Sequence, residues 1–265
     1  MSVVAALPEE IRLSLQHAHS SWHAVLEQGL LALQQAQPAY LSDLCAQPYL
    51  PTEHRLFAAF AVPRDQVRYV LIGEGPYPRE QSATGVSFMD GAVSEIWSAT
   101  GLSKKVNRAT SLRNFFKMLL VADGYLDESA TSGDAMQGVA QIAAQPGSPL
   151  IQHLDELQQK MQQQGFLLLN ASLVFRDHVA PAKDGLSWLP FLQRVLLALA
   201  ADQNDRLPSL VLWGKIAEQV KKIPAASAFP HIVAEHPYNL SFIANKEMQD
   251  FFRPMQLLNS FSKEK

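Results

Sequence analysis

Polar residues that could do chemistry follow three short apolar runs of the sequence. Residues 73–77 (GEGPY) follow the first run, Asn170 ends the second, and residues 236–239 (HPYN) follow the third. Glu74 has acid–base capacity, while amide and imidazole groups donate or accept hydrogen bonds. A strand that ends in a glycine- and proline-rich turn with one acid and one aromatic is a common way to build an active site. The first hypothesis is therefore an active site that combines these groups.

The segments that must position these groups alternate between strand and helix patterns. Apolar runs predict strands at 66–73, 166–170, 209–214 and 231–237. Apolar strands that alternate with helices predict an α/β fold, here a three-layer α/β/α sandwich with a central four-stranded parallel sheet. Ligands of such sheets bind beyond the carboxyl ends of the strands. The fold would therefore bring the three polar groups together.

The remaining segments predict helices and two irregular stretches. We expect a long helix over 8–35 and a helix over 111–122 with Ser111 as its N-cap, and 89–110 reads as an irregular, basic connection. Small and polar residues at 123–149 predict a surface insertion. We expect a single domain over 1–265, with an N-terminal helical extension over 1–50. Further helices are predicted at 150–164 (ending at Gly165), 187–202, 215–222 and 245–260.

Composition excludes several classes of protein. The chain has 265 residues, is 48% hydrophobic and carries a net charge of −3. Without a long apolar run or a signal-like N-terminus, it predicts a cytoplasmic protein with no membrane association. The single cysteine, Cys45, excludes an internal disulfide and any all-cysteine zinc or iron–sulfur site. We expect a monomer without metal or cofactor.

Charge is distributed unevenly along the chain. Between residues 96 and 122 there is no acid, although the whole chain is slightly acidic. Such a stretch is either a solvated basic face or a surface that contacts nucleic-acid phosphates. The basic residues within it are Lys104, Lys105, Arg108, Arg113 and Lys117.

Several segments over residues 54–258, taken in order, resemble the uracil-DNA glycosylase superfamily. The resemblance is closest to the family whose first motif is Gly-Gln-Asp-Pro-Tyr-His. No single match is specific, but their order and their position at strand ends make the set specific. The matching segments are HRLFAAFAVPRDQVRYVLIGEGPYP, ATGVSF, SLRNFFKMLL, GFLLLNASLVFR, LVLWG and HPYNLS.

The resemblance implies a base-excision enzyme that acts on DNA. Phe88 would stack on a flipped base, and Tyr77 would exclude the methyl group of thymine. Asn170 would bond the Watson–Crick edge of the base, and His236 would stabilise negative charge on the departing base. Glu74 and Gly75 would line the same base-binding site, Gly75 at the position of the family's aspartate.

The resemblance also implies contacts with the DNA backbone and the duplex. Leu240 would fill the gap left by the extruded base, while Ser111 and Ser241 would grip phosphates. The basic stretch would supply further DNA contacts through Lys104, Lys105 and Arg108. Taken singly, these side chains also have purely structural interpretations, such as an N-cap for Ser111.

The chain departs from the family pattern at the residues that matter most for catalysis. The aspartate that positions water falls at Gly75, and the preceding glutamine falls at Glu74. In the last motif a serine and a proline are replaced by Tyr238 and Asn239. The segment GEGP also resembles the Gly-Glu-Ala-Pro motif of another branch, which lacks the aspartate but carries an iron–sulfur cluster. One cysteine cannot hold such a cluster.

Three hypotheses follow from these departures. The first is a glycosylase that removes uracil or a related base, with weakened activity and with Glu74 ordering the water. The second is a catalytically silent protein of the same fold that binds DNA or damaged bases. The third is a glycosylase for a different lesion, since Tyr238 and Asn239 reshape the last loop.

Overall fold

The computed structural model describes residues 7–202 and 206–261. The strands are β1 (Tyr69–Gly73), β2 (Trp97–Ser98), β3 (Gly101–Leu102), β4 (Phe166–Asn170), β5 (Ser209–Trp213) and β6 (His231–Ala234). The helices are α1 (Glu9–Leu13), α2 (His23–Ala36), α3 (Tyr40–Cys45), α4 (Lys104–Arg108), α5 (Thr110–Ala122), α6 (Gly133–Ala143), α7 (Leu154–Gln163), α8 (Pro181–Ser187), α9 (Leu189–Ala201), α10 (Ile216–Val220) and α11 (Lys246–Phe252).

The central sheet has the strand order β4–β1–β5–β6, which confirms the predicted four-stranded parallel sheet. β1 pairs in parallel with both β4 and β5, and Gly73 is in register with Asn170. The predicted strand at 166–170 is correct to the residue. The last strand ends at Ala234, three residues earlier than predicted.

The described residues form two compact units. The first comprises 7–91, 165–202 and 206–233, and the second comprises 92–164 and 234–261. The central sheet lies in the first unit, apart from Ala234. A single domain over the whole chain stays a prediction.

The core of the first unit lies between one face of the sheet and the helix pair α2 and α9. The two helices approach closely at Gly29, where a Cβ atom would lie only 2.6 Å from Cδ2 of Phe191. Trp22 closes this core and donates its indole N–H to the carbonyl oxygen of Val62 at 2.8 Å. The sheet contributes Val70, Ile72, Leu167, Leu169, Leu210 and Leu212.

The predicted continuous helix over 8–35 is wrong, because the chain leaves the helical conformation between α1 and α2. Ala18 and His19 have extended backbones, with ψ angles of 144° and 142°. The His19 N–H donates to the carbonyl oxygen of Phe60 at 2.8 Å. His19 Nδ1 then accepts a hydrogen bond from the Ser21 N–H and caps the next turn. A tertiary hydrogen bond therefore overrides the helical pattern of the sequence.

The second unit is built around α5, which packs against α4, α11 and the 3-10 turn Leu240–Ala244. Phe115 of α5 and Phe252 of α11 are in edge-to-face contact, with ring centroids 5.2 Å apart. The predicted C-terminal helix over 245–260 is shorter than expected: α11 ends at Phe252, just before Pro254. Proline cannot donate a backbone hydrogen bond, which favours this early end.

Two further predictions of local structure need correction, and a third segment contains a helix that was not predicted. Ser111 is not the N-cap of α5: the helix begins at Thr110, and Ala109 precedes it. The connection over 89–110 is not irregular throughout, because it contains the β2–β3 hairpin and α4. The insertion over 123–149 contains α6, which buries Met136 and packs against β3. None of the described helices combines the length and apolar character that a bilayer crossing requires.

Candidate functional site

Backbone hydrogen bonds tie the turn that follows β1 to the segment that follows β4. The Ala171 N–H donates to the carbonyl oxygen of Gly73 at 2.8 Å, and the Ser172 N–H donates to that of Glu74 at 3.0 Å. These bonds continue the parallel pairing of the two strands beyond Asn170. The structure therefore brings Glu74 and Asn170 to neighbouring positions at the carboxyl ends of β1 and β4, as the sequence predicts.

The amide of Asn170 is nearly buried and lies beside a glycine that has no room for a side chain. Asn170 is 4% exposed. A Cβ atom at Gly73 would lie 2.9 Å from Oδ1 of Asn170 and 2.3 Å from Oγ of Ser87. None of the described residues forms a hydrogen bond with the Asn170 amide. A side-chain amide that no described residue engages keeps both its donor and its acceptor available, so it is suited to binding a ligand.

Gly75 is different, because the structure leaves room for a side chain at this position. A Cβ atom there would meet only Ser172, at 3.6 Å from its Cβ and 3.7 Å from its carbonyl oxygen, which are ordinary contact distances. Gly75 is exposed, as is Glu74 before it. The fold therefore does not require glycine at position 75 on steric grounds.

Tyr77 is held as a neutral phenol in a polar surrounding that sequence reasoning missed. Burial and, to a lesser extent, the charge of Asp90 raise the pKa of Tyr77 to about 12, and the charge of Arg79 opposes the shift. Asp90 is 4% exposed and forms an ion pair with Arg79, the nearest atoms being 3.6 Å apart. No sequence signal marks Asp90, because its role depends on the loop folding back on itself. A neutral ring at Tyr77 presents an apolar surface.

Phe88 has a constrained backbone and a fixed ring. Its φ angle is +69°, in the left-handed region, which costs a residue with a side chain about 1–2 kcal/mol. The Thr84 hydroxyl braces the loop by donating to the carbonyl oxygen of Met89 at 3.0 Å. The ring meets Trp213 edge to face, with centroids 5.5 Å apart. These contacts fix the orientation of a partly exposed aromatic surface.

In the loop that follows β6, a backbone hydrogen bond orients the imidazole of His236. Nδ1 of His236 accepts from the Tyr238 N–H at 3.1 Å. An Nδ1 atom that accepts this bond places the ring proton on Nε2, so Nε2 is the donor of the neutral ring. Ser241 donates its hydroxyl to the carboxylate of Glu235, and its proposed phosphate contact stays a prediction.

The side chain of Asn114 binds the backbone of this loop, and the sequence alone did not identify Asn114 as a candidate residue. Asn114 is fully buried in α5. Its Nδ2 atom lies 2.8 Å from the carbonyl oxygen of Pro237 and 3.3 Å from each of those of Tyr238 and Asn239. One side-chain amide therefore lies within hydrogen-bond distance of three successive carbonyl oxygens. The sequence signal that could have identified Asn114 is its position three residues after Ser111, because this spacing places two side chains on the same face of a helix.

The candidate DNA-contact residues lie in the second unit, together with His236. Ser111 is half-buried in the first turn of α5. Leu240 is 69% exposed. The basic residues of α4, a short helix that packs against α5, are all exposed: Lys104, Lys105 and Arg108. The base-binding candidates Glu74, Gly75, Tyr77, Phe88 and Asn170 lie in the first unit.

In the part of the chain that the structure describes, no three His, Cys, Asp or Glu side chains are grouped so as to hold a metal ion.

Comparison with known proteins identifies the family. No protein-family model matches the chain. The chain is 28% identical over 247 residues to the uracil-DNA glycosylase of Corynebacterium glutamicum, covering 91% of this chain and 89% of the relative. It is 30% identical over 194 residues to the uracil-DNA glycosylase of Mycobacterium sp. strain KMS, covering 73% and 68%.

Solved structures agree with this result. The crystal structure of the wild-type UNG of Nitratifractor salsuginis matches with a TM-score of 0.86 and 37% identity, covering 97% of this chain and all of that one. The mimivirus uracil-DNA glycosylase shares the fold at 16% identity, with a TM-score of 0.54. The predicted three-layer α/β/α class is confirmed. The chain belongs to the uracil-DNA glycosylase family.

Proposed function

We propose that this protein removes uracil, or a related damaged base, from DNA by hydrolysing the N-glycosidic bond of a flipped-out nucleotide. The observation that carries the proposal is the nearly buried Asn170, whose side-chain amide has no hydrogen-bond partner among the described residues and whose following residues are hydrogen-bonded to the Gly73–Glu74 turn. The relatives named uracil-DNA glycosylase support the same reaction class. DNA is then the partner of this chain.

Base recognition is assigned to three side chains of the first unit. The amide of Asn170 can accept a hydrogen bond through Oδ1 and donate one through Nδ2, the pair that distinguishes uracil from cytosine. Phe88, held by Trp213, provides a face on which the base stacks. The neutral ring of Tyr77 occupies the space that the methyl group of thymine would need.

His236 is assigned to the departing base. As the glycosidic bond breaks, negative charge develops on the oxygen atoms of uracil. The tautomer set by the Tyr238 N–H leaves Nε2 as the donor to that charge. A donor aimed at developing oxyanion charge is worth about 3–4 kcal/mol in barrier height.

The attacking water is assigned to Glu74. The family's aspartate corresponds to Gly75, so the carboxylate nearest in sequence that can order water is that of Glu74. Lacking the aspartate, this chain should hydrolyse the bond more slowly than relatives that keep it.

The second candidate function is a protein that binds damaged DNA without cleaving it. The side-chain-free Gly75 and the exposed position of Glu74 favour it. A labelled oligonucleotide with one uracil, in single-stranded and duplex form, separates the two functions. Strand breakage after alkali treatment supports the glycosylase, whereas retarded migration with no breakage supports the binder.

Glu74→Gln tests the assignment of the water. We expect at least a tenfold loss of kcat, about 1.4 kcal/mol in barrier height, because an amide cannot polarise water as a carboxylate does. Glu80→Gln, an exposed glutamate close to the same turn, is the matched control and should change kcat less than twofold. An unchanged rate in Glu74→Gln would remove Glu74 from the mechanism.

Gly75→Asp tests whether the site keeps the family geometry. Since a Cβ atom fits at this position, the variant should fold, and we expect its kcat to rise by tenfold or more. Gly75→Asn has nearly the same shape without the charge and should not gain. Equal rates in the two variants would show that the carboxylate is not what position 75 lacks.

A further inference from the structure

Two large apolar side chains stand exposed on a short loop whose backbone is firmly held. Tyr238 is 67% exposed and Leu240 is 69% exposed, the two largest values among the exposed large hydrophobic residues described. Both lie in the second unit, between the buried residues Pro237 and Phe242. Single exposed apolar side chains are common, but apolar residues grouped on one exposed loop are a feature of interaction sites.

The backbone of this loop is fixed at each step. The Tyr238 N–H donates to His236, and the Asn239 N–H donates to the carbonyl oxygen of His236 at 3.0 Å. Asn114 binds the carbonyl oxygens of residues 237–239. The Phe242 N–H donates to the carbonyl oxygen of Asn239 at 3.2 Å. The loop is therefore ordered before any ligand binds. Binding through its two exposed side chains then costs little backbone conformational entropy.

The spacing of the two residues suits stacked bases. Asn239 between them is extended, with φ −77° and ψ 137°. Extended backbone separates the Cα atoms of residues i and i+2 by about 7 Å. That distance is close to two base steps, since stacked bases of one strand are about 3.4 Å apart. A side chain in the gap left by an extruded base therefore has its partner about two base steps away, within reach of another base of the same duplex.

The charge of the same unit also suits DNA. The 3-10 turn that begins at Leu240 packs against α5, and α5 packs against α4 with its three exposed cations. Residues 96–122 contain no acid. The nearest acid in the loop, Glu235, is engaged by the Ser241 hydroxyl. The apolar pair and the basic residues therefore belong to one compact unit and to elements that share α5, a combination that fits a polyanion with apolar base faces.

We infer that Tyr238 is a second wedge residue, which stacks on a base of the duplex while Leu240 fills the gap, with Asn114 as the positioning residue of both. The inference rests on the proposed action on DNA, and it assigns the aromatic ring, rather than the hydroxyl, as the contact. Apolar wedges between base steps and aromatic stacking are common means of holding a distorted duplex.

The test is binding to a fluorescein-labelled duplex with one tetrahydrofuran abasic site, measured by anisotropy. We expect Tyr238→Ala to weaken binding about tenfold, because one stacking contact is lost. Tyr238→Phe keeps the ring and should stay within about twofold of the wild type. Leu186→Ala, which removes another exposed apolar side chain in the first unit, is the matched control and should bind normally. The same variants should bind the single strand of that sequence equally well.

Three results would overturn the inference. They are wild-type binding by Tyr238→Ala, an equal loss on the single strand, and a loss in Tyr238→Phe as large as in Tyr238→Ala. The binding assay needs no cleavage, so its outcome is independent of uracil release. A chain that binds the abasic duplex through Tyr238 but releases no uracil would lose the proposed reaction and keep this contact.

Discussion

The turn that follows β1 and the loop that follows β6 both carry residues with proposed chemistry, but they are held in opposite ways. The turn is held by backbone pairing and by close packing over Gly73, where no additional atom fits. The loop depends more on side chains: the Asn114 amide binds three of its carbonyl oxygens, and the His236 imidazole accepts from the Tyr238 N–H. The turn should therefore fail when atoms are added at Gly73, and the loop should fail when the Asn114 amide is removed.

The largest expected effect is that of Gly73→Ala. A Cβ atom would lie 2.3 Å from Oγ of Ser87 and 2.9 Å from Oδ1 of Asn170, so the Asn170 amide must move. We expect at least a hundredfold loss of kcat/KM and a destabilisation of about 1–3 kcal/mol from overpacking. Uracil release and urea denaturation measure the two effects.

Two variants serve as controls for this prediction. Gly75→Ala adds the same methyl group two residues later, where it meets nothing closer than 3.6 Å, and should leave stability unchanged. Ser87→Ala combined with Gly73→Ala removes one of the two clashing atoms and should recover part of the activity. Equal losses of activity and stability in Gly73→Ala and Gly75→Ala would show that the space around the two glycines does not determine the effect of an added methyl group.

Removal of the Asn114 amide should have an intermediate effect. In Asn114→Ala three carbonyl oxygens lose their common donor, and the loop that carries Tyr238 and Leu240 loosens. We expect about a tenfold loss of kcat/KM on duplex substrate and a smaller loss on single-stranded substrate, where no gap has to be filled. Asn107→Ala removes a bond of the same type, to the carbonyl oxygen of Leu102, and is the matched control.

A double variant distinguishes positioning from mere stability. If Asn114 acts through the wedge, its substitution should cost little in a Tyr238→Ala, Leu240→Ala background. If the losses of activity are fully additive and the melting temperature of the Asn114 variant falls in parallel, Asn114 has only a structural role.

The smallest predicted effect concerns Asp123, the residue at the C-terminal end of α5. Burial raises the pKa of Asp123 to about 6, although Arg253 opposes the shift, and Oδ2 of Asp123 is buried without a partner among the described residues. The folded state holds this proton more tightly than the unfolded state. The contribution of Asp123 to stability is therefore fully present below pH 4 and is lost as the pH rises through about 6.

Asp123→Asn should accordingly be more stable than the wild type above pH 6, by about 1–2 kcal/mol, with the difference vanishing near pH 4. Urea denaturation across this pH range measures it. Asp127→Asn is a control of opposite sign, because hydrogen bonds from Ser129 lower the pKa of Asp127. A constant difference between Asp123→Asn and the wild type at all pH values would contradict the assignment.

The parts of the fold that sequence predicts well are those set by local apolar runs. The strand at 166–170 and the position of Asn170 at its end follow from five apolar or terminal residues alone. The helix over 8–35 fails because its break at His19 depends on the carbonyl oxygen of Phe60, 41 residues further along the chain. A local pattern contains no information about such a partner.

The same limit applies to the candidate site. Gly73 and Gly75 look alike in the sequence, and only the neighbouring side chains show that one has no space and the other has it. Asp90 and Asn114 were missed because their partners are contributed by the folded loops. The family resemblance marked the positions of Tyr77, Phe88, Asn170 and His236, whose roles stay proposals.

The left-handed backbone of Phe88 has a consequence for how this protein can change. Glycine at that position would relieve the backbone strain of about 1–2 kcal/mol, yet it would remove the ring that faces Trp213. A substitution at position 88 therefore trades one stabilising term against another, because no residue type offers both the unstrained backbone of glycine and the ring of phenylalanine.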